Sequence, residues 1–491
     1  MSRVPAFARL SARRSVLALS IMLLAGSSAA AAVPTQWTYK LLAKTGNAYN
    51  GLPFGATFLA SGIPNDPAID ADGNVAIRYT AAGNVDGYFY YNAASDSASL
   101  VLPVGTNQLY ASSVDLKAGR IAVPEQGLAG GAKVYSLDGT VEKSLTGGAA
   151  QVLGSIVGLR VNTAGTAGFR AWASTPTGST IKLVLDRGFG ESRTQTTLAS
   201  TSDLVYSQIQ TPTMNDIEQI GTKVSFSAGS VGLVRFQAGQ QPTTVLRLSD
   251  LTTHDSLGDL TFMNNAGEFA FTIRRAGTFQ WELRKSSSGL GTLIAGAGPN
   301  FGNGSWTLST PRINNRGMVA FRAEGAPISG GFGVPGLYIG DGASLANVVT
   351  FNTAVPNAIN PGNPALRIGF GNSPNQQTVV GNVAMNDKAQ IAFLARLSDG
   401  TYGLILASPN PPLTSACSPA DIANTDGDSG ADGRVDNGDF SLFFSAFFLP
   451  GTDPARLVAD IANTDGDPSP DSTIDNGDFA LFFATFFTGC P

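Results

Sequence analysis

Histidine is almost absent from this chain of 491 residues: His254 stands alone, and there are only two cysteines, Cys417 and Cys490. Zinc sites built on paired histidines are thereby excluded. A Ser-His-Asp hydrolase would have to use His254, in the polar stretch Thr253-His254-Asp255-Ser256. Charge is scarce as well. Charged residues make up 14% of the chain and the net charge is −5, so the broad basic surface that holds a nucleic-acid backbone is missing. Beyond residue 32 no run reaches the roughly 18 apolar residues of a membrane-spanning helix. Glycine and proline are plentiful, at 58 and 27 residues, which demands frequent turns, and a hydrophobic content of 43% is ample for a core.

Residues 1–32 read as a secretory signal. Arg3, Arg9, Arg13 and Arg14 form a positive start, Val16 to Ala25 is apolar, and Ala29 to Ala32 supplies small residues for cleavage. Arg13-Arg14 resembles a twin-arginine pair, but no Ser or Thr directly precedes it and no Lys follows, so the general export route is expected. The remaining charge is uneven. Residues 417–491 hold 13 Asp, no Glu and only Arg434 and Arg456, whereas residues 33–416 are close to neutral. Two domains follow, 33–407 and 417–491, joined by a Pro-rich linker at 408–416.

The larger domain repeats. Asn264-Asn265-Ala266-Gly267-Glu268-Phe269-Ala270-Phe271 and Asn314-Asn315-Arg316-Gly317-Met318-Val319-Ala320-Phe321 share the pattern NxxGxxAF. Partial copies start at Asp70, Asn162 and Asn386, and degenerate ones at Asp115, around Gly119, and at Asn215, around Gly221. The seven starts are separated by 45, 47, 53, 49, 50 and 72 residues, near the roughly 40 to 50 residues of a four-stranded propeller blade. The motif suits a turn entering a strand: Asn or Asp bonds the backbone two residues on, Gly supplies a positive φ, and the apolar run packs one face into a core.

An all-β fold is expected, a β-propeller with seven blades, plus a small helical calcium-binding module. The last repeat stops after two strands, at Ala407, and Leu41-Leu42-Ala43-Lys44-Thr45-Gly46 matches the element it lacks, Thr292 to Gly298. The strand at Trp37 to Lys44 is therefore expected to complete the last blade and close the ring, removing open sheet edges. The repeated motif, spread over residues 34 to 407, resembles secreted bacterial tandem-repeat proteins that carry exchangeable C-terminal anchors. That resemblance implies a surface-associated protein and brings no reaction with it.

The two halves of residues 417–491 superpose at an offset of 39 without a gap. Asp428, Asp432, the carbonyl of Arg434, Asp436 and Asp439 fall at positions 1, 5, 7, 9 and 12 of an EF-hand-like loop, with Gly433 at 6. Asp467, Asp471, Thr473, Asp475 and Asp478 repeat the set, with Ser472 in the glycine's place. Position 3, Gly430 or Ser469, supplies no carboxylate, and Asp421, Asp426, Asp460 and Asp465 are the candidates for the missing oxygen. After each loop comes a helix signal with phenylalanines at i, i+3, i+4, i+7 and i+8, from Phe440 and from Phe479. Cys417 and Cys490 flank the unit, and in an exported chain this favours a disulfide between them, with a free thiol as the other reading.

This duplicated loop-helix unit ending in Gly489-Cys490 resembles the dockerin domain, in its Gly-Cys-ending variant. The resemblance implies Ca²⁺ as cofactor and a cohesin-like or cell-surface partner. It departs from ordinary dockerins at loop position 3 and at positions 10 and 11, where Asn437-Gly438 and Asn476-Gly477 stand at the usual partner-selecting sites.

Other signals are weak. Gly331 to Gly336 matches GxGxxG but leads into a strand, whereas nucleotide loops open a helix. Trp37, Trp172, Trp281 and Trp306 lie in strand-like runs and are expected in the core rather than on a glycan surface. Glu191, Glu218, Glu268 and Glu282 are the acids from which a glycosidase pair would be drawn. The expected function is non-catalytic ligand binding by a secreted propeller displayed through the calcium module. The alternative is a carbohydrate-active enzyme, a glycoside hydrolase or lyase, carrying a dockerin.

Overall fold

A computed structural model describes residues 33–488 except 46–54, 61–62, 82–84, 104–113, 125–130, 146–152, 176–177, 190–191, 260, 279, 297–305, 326–335, 357–364, 370–378, 411–417, 424–434, 450–453, 463, 465 and 467–472. The signal segment, Cys417, Cys490, Asp426, Asp428, Asp432, Arg434, Asp465, Asp467 and Asp471 lie outside the described residues, as does Glu191. Among the described residues no helix is long and apolar enough to cross a membrane.

Seven antiparallel sheets, each with a four-strand path, follow one another along the chain. The first blade is Ala68–Ile69, Val75–Ala81, Val85–Asn92 and Ser97–Pro103; the sixth is Trp306–Ile313, Val319–Gly325, Gly336–Gly340 and Leu345–Thr350. The seventh is Val379–Met385, Ile391–Arg396 and Tyr402–Pro409, completed by Trp37–Lys44 from the chain start. Trp37 pairs with Pro409 and Lys44 with Gly403, so the ring closes as the truncated repeat implied. The 72-residue interval holds an added ribbon, Ala354–Val355 with Leu366–Arg367, before the seventh blade begins.

Each blade is sandwiched between two others, so its middle strands are buried on both faces. This corrects the one-face expectation. Phe269 to Ile273, Ile391 to Ala395 and Gly336 to Gly340 are buried without interruption. Alternate residues serve different interfaces: Val319, Phe321 and Ala323 pack toward the fifth blade, Met318 and Ala320 toward the seventh. The closing strand does the same. Leu41 joins the core between the sixth and seventh blades, Leu42 the core between the seventh and first, and neither has any exposure.

The C-terminal segment contributes two helices, α1 (Asn437–Phe447) and α2 (Asn476–Thr488), with a 3₁₀ turn at Pro454–Ala459. Asp436 caps α1, and Asp439 returns the bond to complete a capping box. Phe443 and Phe482 are fully buried and stack with centroids 3.9 Å apart, the centre of a pseudo-symmetric core. The ends of the Phe stripes stay in water: Phe448 is 71% exposed and Phe487 77%.

Candidate functional site

The repeat motif turns meet at one mouth of the central channel, and their asparagines bond in a second direction not anticipated from the sequence. Asn314 Oδ1 accepts the N–H of Met318 at 3.0 Å, four residues on, and Asn264 and Asn386 do likewise with Glu268 and Gln390. The amide nitrogen then crosses to the next blade. Asn215 Nδ2 donates to the Asn264 carbonyl (3.1 Å), Asn264 to Asn314 (3.2 Å), Asn314 to Asn386 (3.3 Å) and Asn386 to Asp70 (3.0 Å). Asn162 makes the equivalent bond to the Asp216 carbonyl at 3.2 Å. A parallel set joins the second motif residues: the N–H groups of Thr163, Asp216, Asn265 and Asn315 donate to the side chains of Asp216, Asn265, Asn315 and Asp387. The motif is thus a set of staples between blades, and its residues are occupied in structure.

Two degenerate copies were placed differently from expectation. At Asp115 the chain makes a two-residue hairpin through Ala118 and Gly119, both at positive φ, and no asparagine turn; Lys117 pairs directly with Arg120. At Asn215 the left-handed position is Glu218 (φ 62°) and not Gly221. Gly221 lies in the strand Ile220–Phe226, where a Cβ would sit 2.4 Å from the Phe269 ring.

Below this rim lies a cavity of about 150 Å³, lined by the first strands and motif turns of the blades. Arg160, Phe262 and Arg312, from the third, fifth and sixth blades, converge in it. The Arg312 guanidinium lies 3.4 Å from the Phe262 ring centroid and that of Arg160 lies 5.6 Å from it. Arg312 Nη1 is buried and has no hydrogen-bond partner among the described residues. Burial, then the like charge of Arg160, pushes the Arg312 guanidinium down to about 9, against the pull of Asp66 and Asp115; it remains cationic at neutral pH. Asp66 and Asp115 are themselves tied to other blades, through the N–H groups of Asn382 and Val161.

The acids and aromatics singled out in the sequence do not form one site. Glu218 pairs with Arg187 at 2.6 Å and accepts from Thr166, and Glu268 accepts from Asn264 at 2.9 Å. His254 is buried, with Nδ1 2.9 Å from Thr253 Oγ1 and Nε2 3.3 Å from Glu282 Oε2. It lies outside the channel lining. Glu282 also takes hydrogen bonds from Arg275 and Arg284. Burial acts upward on its carboxyl, but the two arginines and His254 outweigh it and hold the group below the usual carboxylate range. Glu282 therefore stabilises the fold above the unfolded carboxylate pKa of about 4.3, and that contribution should be lost as pH falls through its lowered folded value. Glu282→Gln should flatten the acid limb of a stability-versus-pH curve; an unchanged limb would refute this role. Trp172 is 40% exposed beside Arg170, which corrects its expected place in the core, whereas Trp37 and Trp281 are half-buried.

In the C-terminal segment the structure turns both loop-end acids toward backbone. Asp439 is buried; its Oδ1 accepts the N–H groups of Ile422 (2.7 Å) and Ala423 (2.8 Å) and its Oδ2 that of Asp436 (2.8 Å). Asp478 repeats this with Ile461, Ala462 and Asp475. Asp436 and Asp475 accept from Gly438 and Gly477. Asp421 is buried, while Asp460 is half-buried and Thr473 exposed. A carboxylate offers about four lone-pair sites and three are taken, so Asp439 and Asp478 fit a hard cation as single-oxygen ligands and not as bidentate ones. Burial, foremost, and the neighbouring Asp436 raise Asp439 above its ordinary value although three backbone bonds oppose this; a bound cation would reverse that shift. Among the described residues no group of three potential ligand side chains gathers, and the middle of each loop lies outside them.

No protein-family profile and no curated protein matches the chain. Among solved structures, a chain of a mitotic checkpoint complex is 11% identical with a TM-score of 0.39, over 82% of this chain and 98% of that one. The WD40 domain of SCAP from fission yeast gives 8% and 0.38, over 76% and 98%. The acylaminoacyl peptidase of Pyrococcus horikoshii gives 10% and 0.41, over 69% of this chain and 50% of that one. Likenesses this distant carry no argument about function, and the seven-bladed fold stands on strand order.

Proposed function

We propose that this chain is a secreted, non-catalytic binding protein: a propeller head displayed on a surface or assembly through a calcium-loaded, dockerin-like module. The observation that carries the reading is the fate of the repeat motif. Its polar residues are consumed by bonds between blades, and the carboxylates that line the small channel, Asp70, Asp115, Asp216 and Asp387, are themselves engaged by turn and interblade bonds. The acidic loops, the capping acids and the duplicated Phe core support the module reading, with Asp428, Asp432, Asp436 and Asp439 and their counterparts 39 residues on as the ligand set. Its partner would be a cohesin-like or other cell-surface protein. Signal-directed export supplies the calcium-rich, oxidising setting in which this module and a Cys417–Cys490 bridge make sense.

The test is a depletion assay of the full chain on a panel of insoluble polysaccharides and cell-wall fractions, with soluble sugar measured in parallel. Retention without release of sugar is the expected result. Release of sugar would establish the carbohydrate-active enzyme instead.

A further inference from the structure

Among the described residues, five large apolar side chains of the propeller are exposed, and three of them gather where the third blade passes to the fourth. These are Trp172, Leu204 (81% exposed) and Val205 (52%), whereas Val141 and Ile217 lie elsewhere. The pairings bring the three together. Arg170 and Trp172 share a face of the strand Ala167–Thr175, and Arg170 reaches the Ile209 carbonyl of the fourth blade at 3.0 Å. Trp172, two residues further along, lies beside the start of the strand Tyr206–Ile209, into which Leu204 and Val205 lead. From the other side, Trp172 pairs with Ile181, whose N–H donates to Thr201 Oγ1 at 3.0 Å in the 3₁₀ turn that ends at Leu204.

Leu204 breaks two local rules at once. It is a leucine in the left-handed conformation (φ 60°), and it holds its side chain in water. Glycine would make the same turn without either penalty. The indole is braced from behind, by an Arg170 guanidinium 5.9 Å from its centroid. Around this plateau Ser179, Ser202, Ser207 and Gln208 are exposed. Charge is sparse: Asp203 turns back onto the Ser200 N–H at 3.2 Å, and Arg170 is half-buried with Nη1 occupied by the Ile209 carbonyl. A polyanion would find no cation presented to it. An apolar plateau edged by hydroxyl and amide groups matches a neutral sugar, because one face of a pyranose ring is a layer of C–H groups and its rim carries hydroxyls that both donate and accept.

We propose that the Trp172–Leu204–Val205 face binds a neutral polysaccharide chain, with a pyranose ring stacked on Trp172. The inference rests on the reading of the propeller as a binding head and adds the site and the class of ligand. The test titrates the full chain with cellohexaose, xylohexaose, mannohexaose and N-acetylchitohexaose, with polygalacturonate and dextran sulfate as charged comparisons, reading tryptophan emission and heat of binding. At least one neutral oligosaccharide should bind and change the emission. Trp172→Ala should weaken that binding at least tenfold and remove the emission change, and Trp172→Phe should keep part of the affinity. Leu204→Gly should weaken binding severalfold while raising the melting temperature of the free protein, a combination that a purely structural leucine would not give. No neutral binding, tighter binding of either polyanion, or parental affinity in Trp172→Ala would overturn the proposal. So would dimerisation abolished by Trp172→Ala without any sugar binding, which would assign the face to a second copy. Should Trp172→Ala fail to fold, Val205→Ser replaces it, with a severalfold loss expected and unchanged affinity counting against the site. In the depletion assay, equal retention of the parent and Trp172→Ala would sink this face and leave the binding head standing; absence of retention in both would remove both.

Discussion

Deletion of residues 33–46 should abolish cooperative folding of the propeller. The strand Trp37–Lys44 fills the outer edge of the seventh blade, and its Leu41, Leu42 and Ala43 have no exposure. Burying a leucine side chain is worth roughly 1.5–3 kcal/mol, and the ladder to Tyr402–Pro409 adds seven paired positions. Together these rival the roughly 5–15 kcal/mol that separates folded from unfolded domains. The deletion also leaves the edge of Tyr402–Pro409 unpaired, an invitation to association between chains. Circular dichroism melting should show no sharp transition, and a synthetic peptide spanning residues 35–45 added in trans should restore one. A deletion variant that melts like the parent would contradict ring closure by this strand.

Asn314→Ala should be the most damaging single substitution in the motif ring, at roughly 2–4 kcal/mol. Asn314 is 3% exposed and serves three groups: Oδ1 accepts from the N–H of Arg316 and Met318, and Nδ2 donates to the Asn386 carbonyl of the next blade. Truncation leaves those backbone groups buried without that partner. Asn314→Asp keeps the acceptors and replaces the donor with a carboxylate facing a carbonyl, so it should be no milder than Ala. That comparison, made by denaturant unfolding, separates the interblade bond from the turn-forming bonds. If Asp restores parental stability, the bond to the next blade contributes nothing.

The propeller was legible because its signals are local. A turn that needs a positive φ at a fixed offset from Asn leaves a mark even in partial copies, as at Gly73, Gly165, Gly267 and Gly317. The missing strand of the last repeat could be matched to Leu41-Leu42-Ala43 by pattern alone. Where the signal was lost, a neighbour had taken over. Glu218 adopts the left-handed conformation in place of glycine, held by Arg187 and Thr166, and Ala389 does so with no exposure to solvent. The second blade reaches the third through Asp115 and the Val161 N–H, so an asparagine count misses it. The Arg160–Phe262–Arg312 cluster had no signature, since its members stand 102 and 50 residues apart and meet only when the ring forms. The acidic loops show the converse: their spacing suggested Asp439 and Asp478 as cation ligands, and hid that each ties a helix start to the segment before its loop.

Calcium binding by the intact chain is the most direct test of the account, because the proposed display of the head depends on a calcium-loaded module. Calorimetric titration of the calcium-stripped, full-length protein should show two Ca²⁺ per chain, and the joint substitution of Asp428 and Asp467 by Ala should abolish both while leaving the propeller melting transition in place. No heat of binding, or binding unaffected by that double substitution, would contradict it.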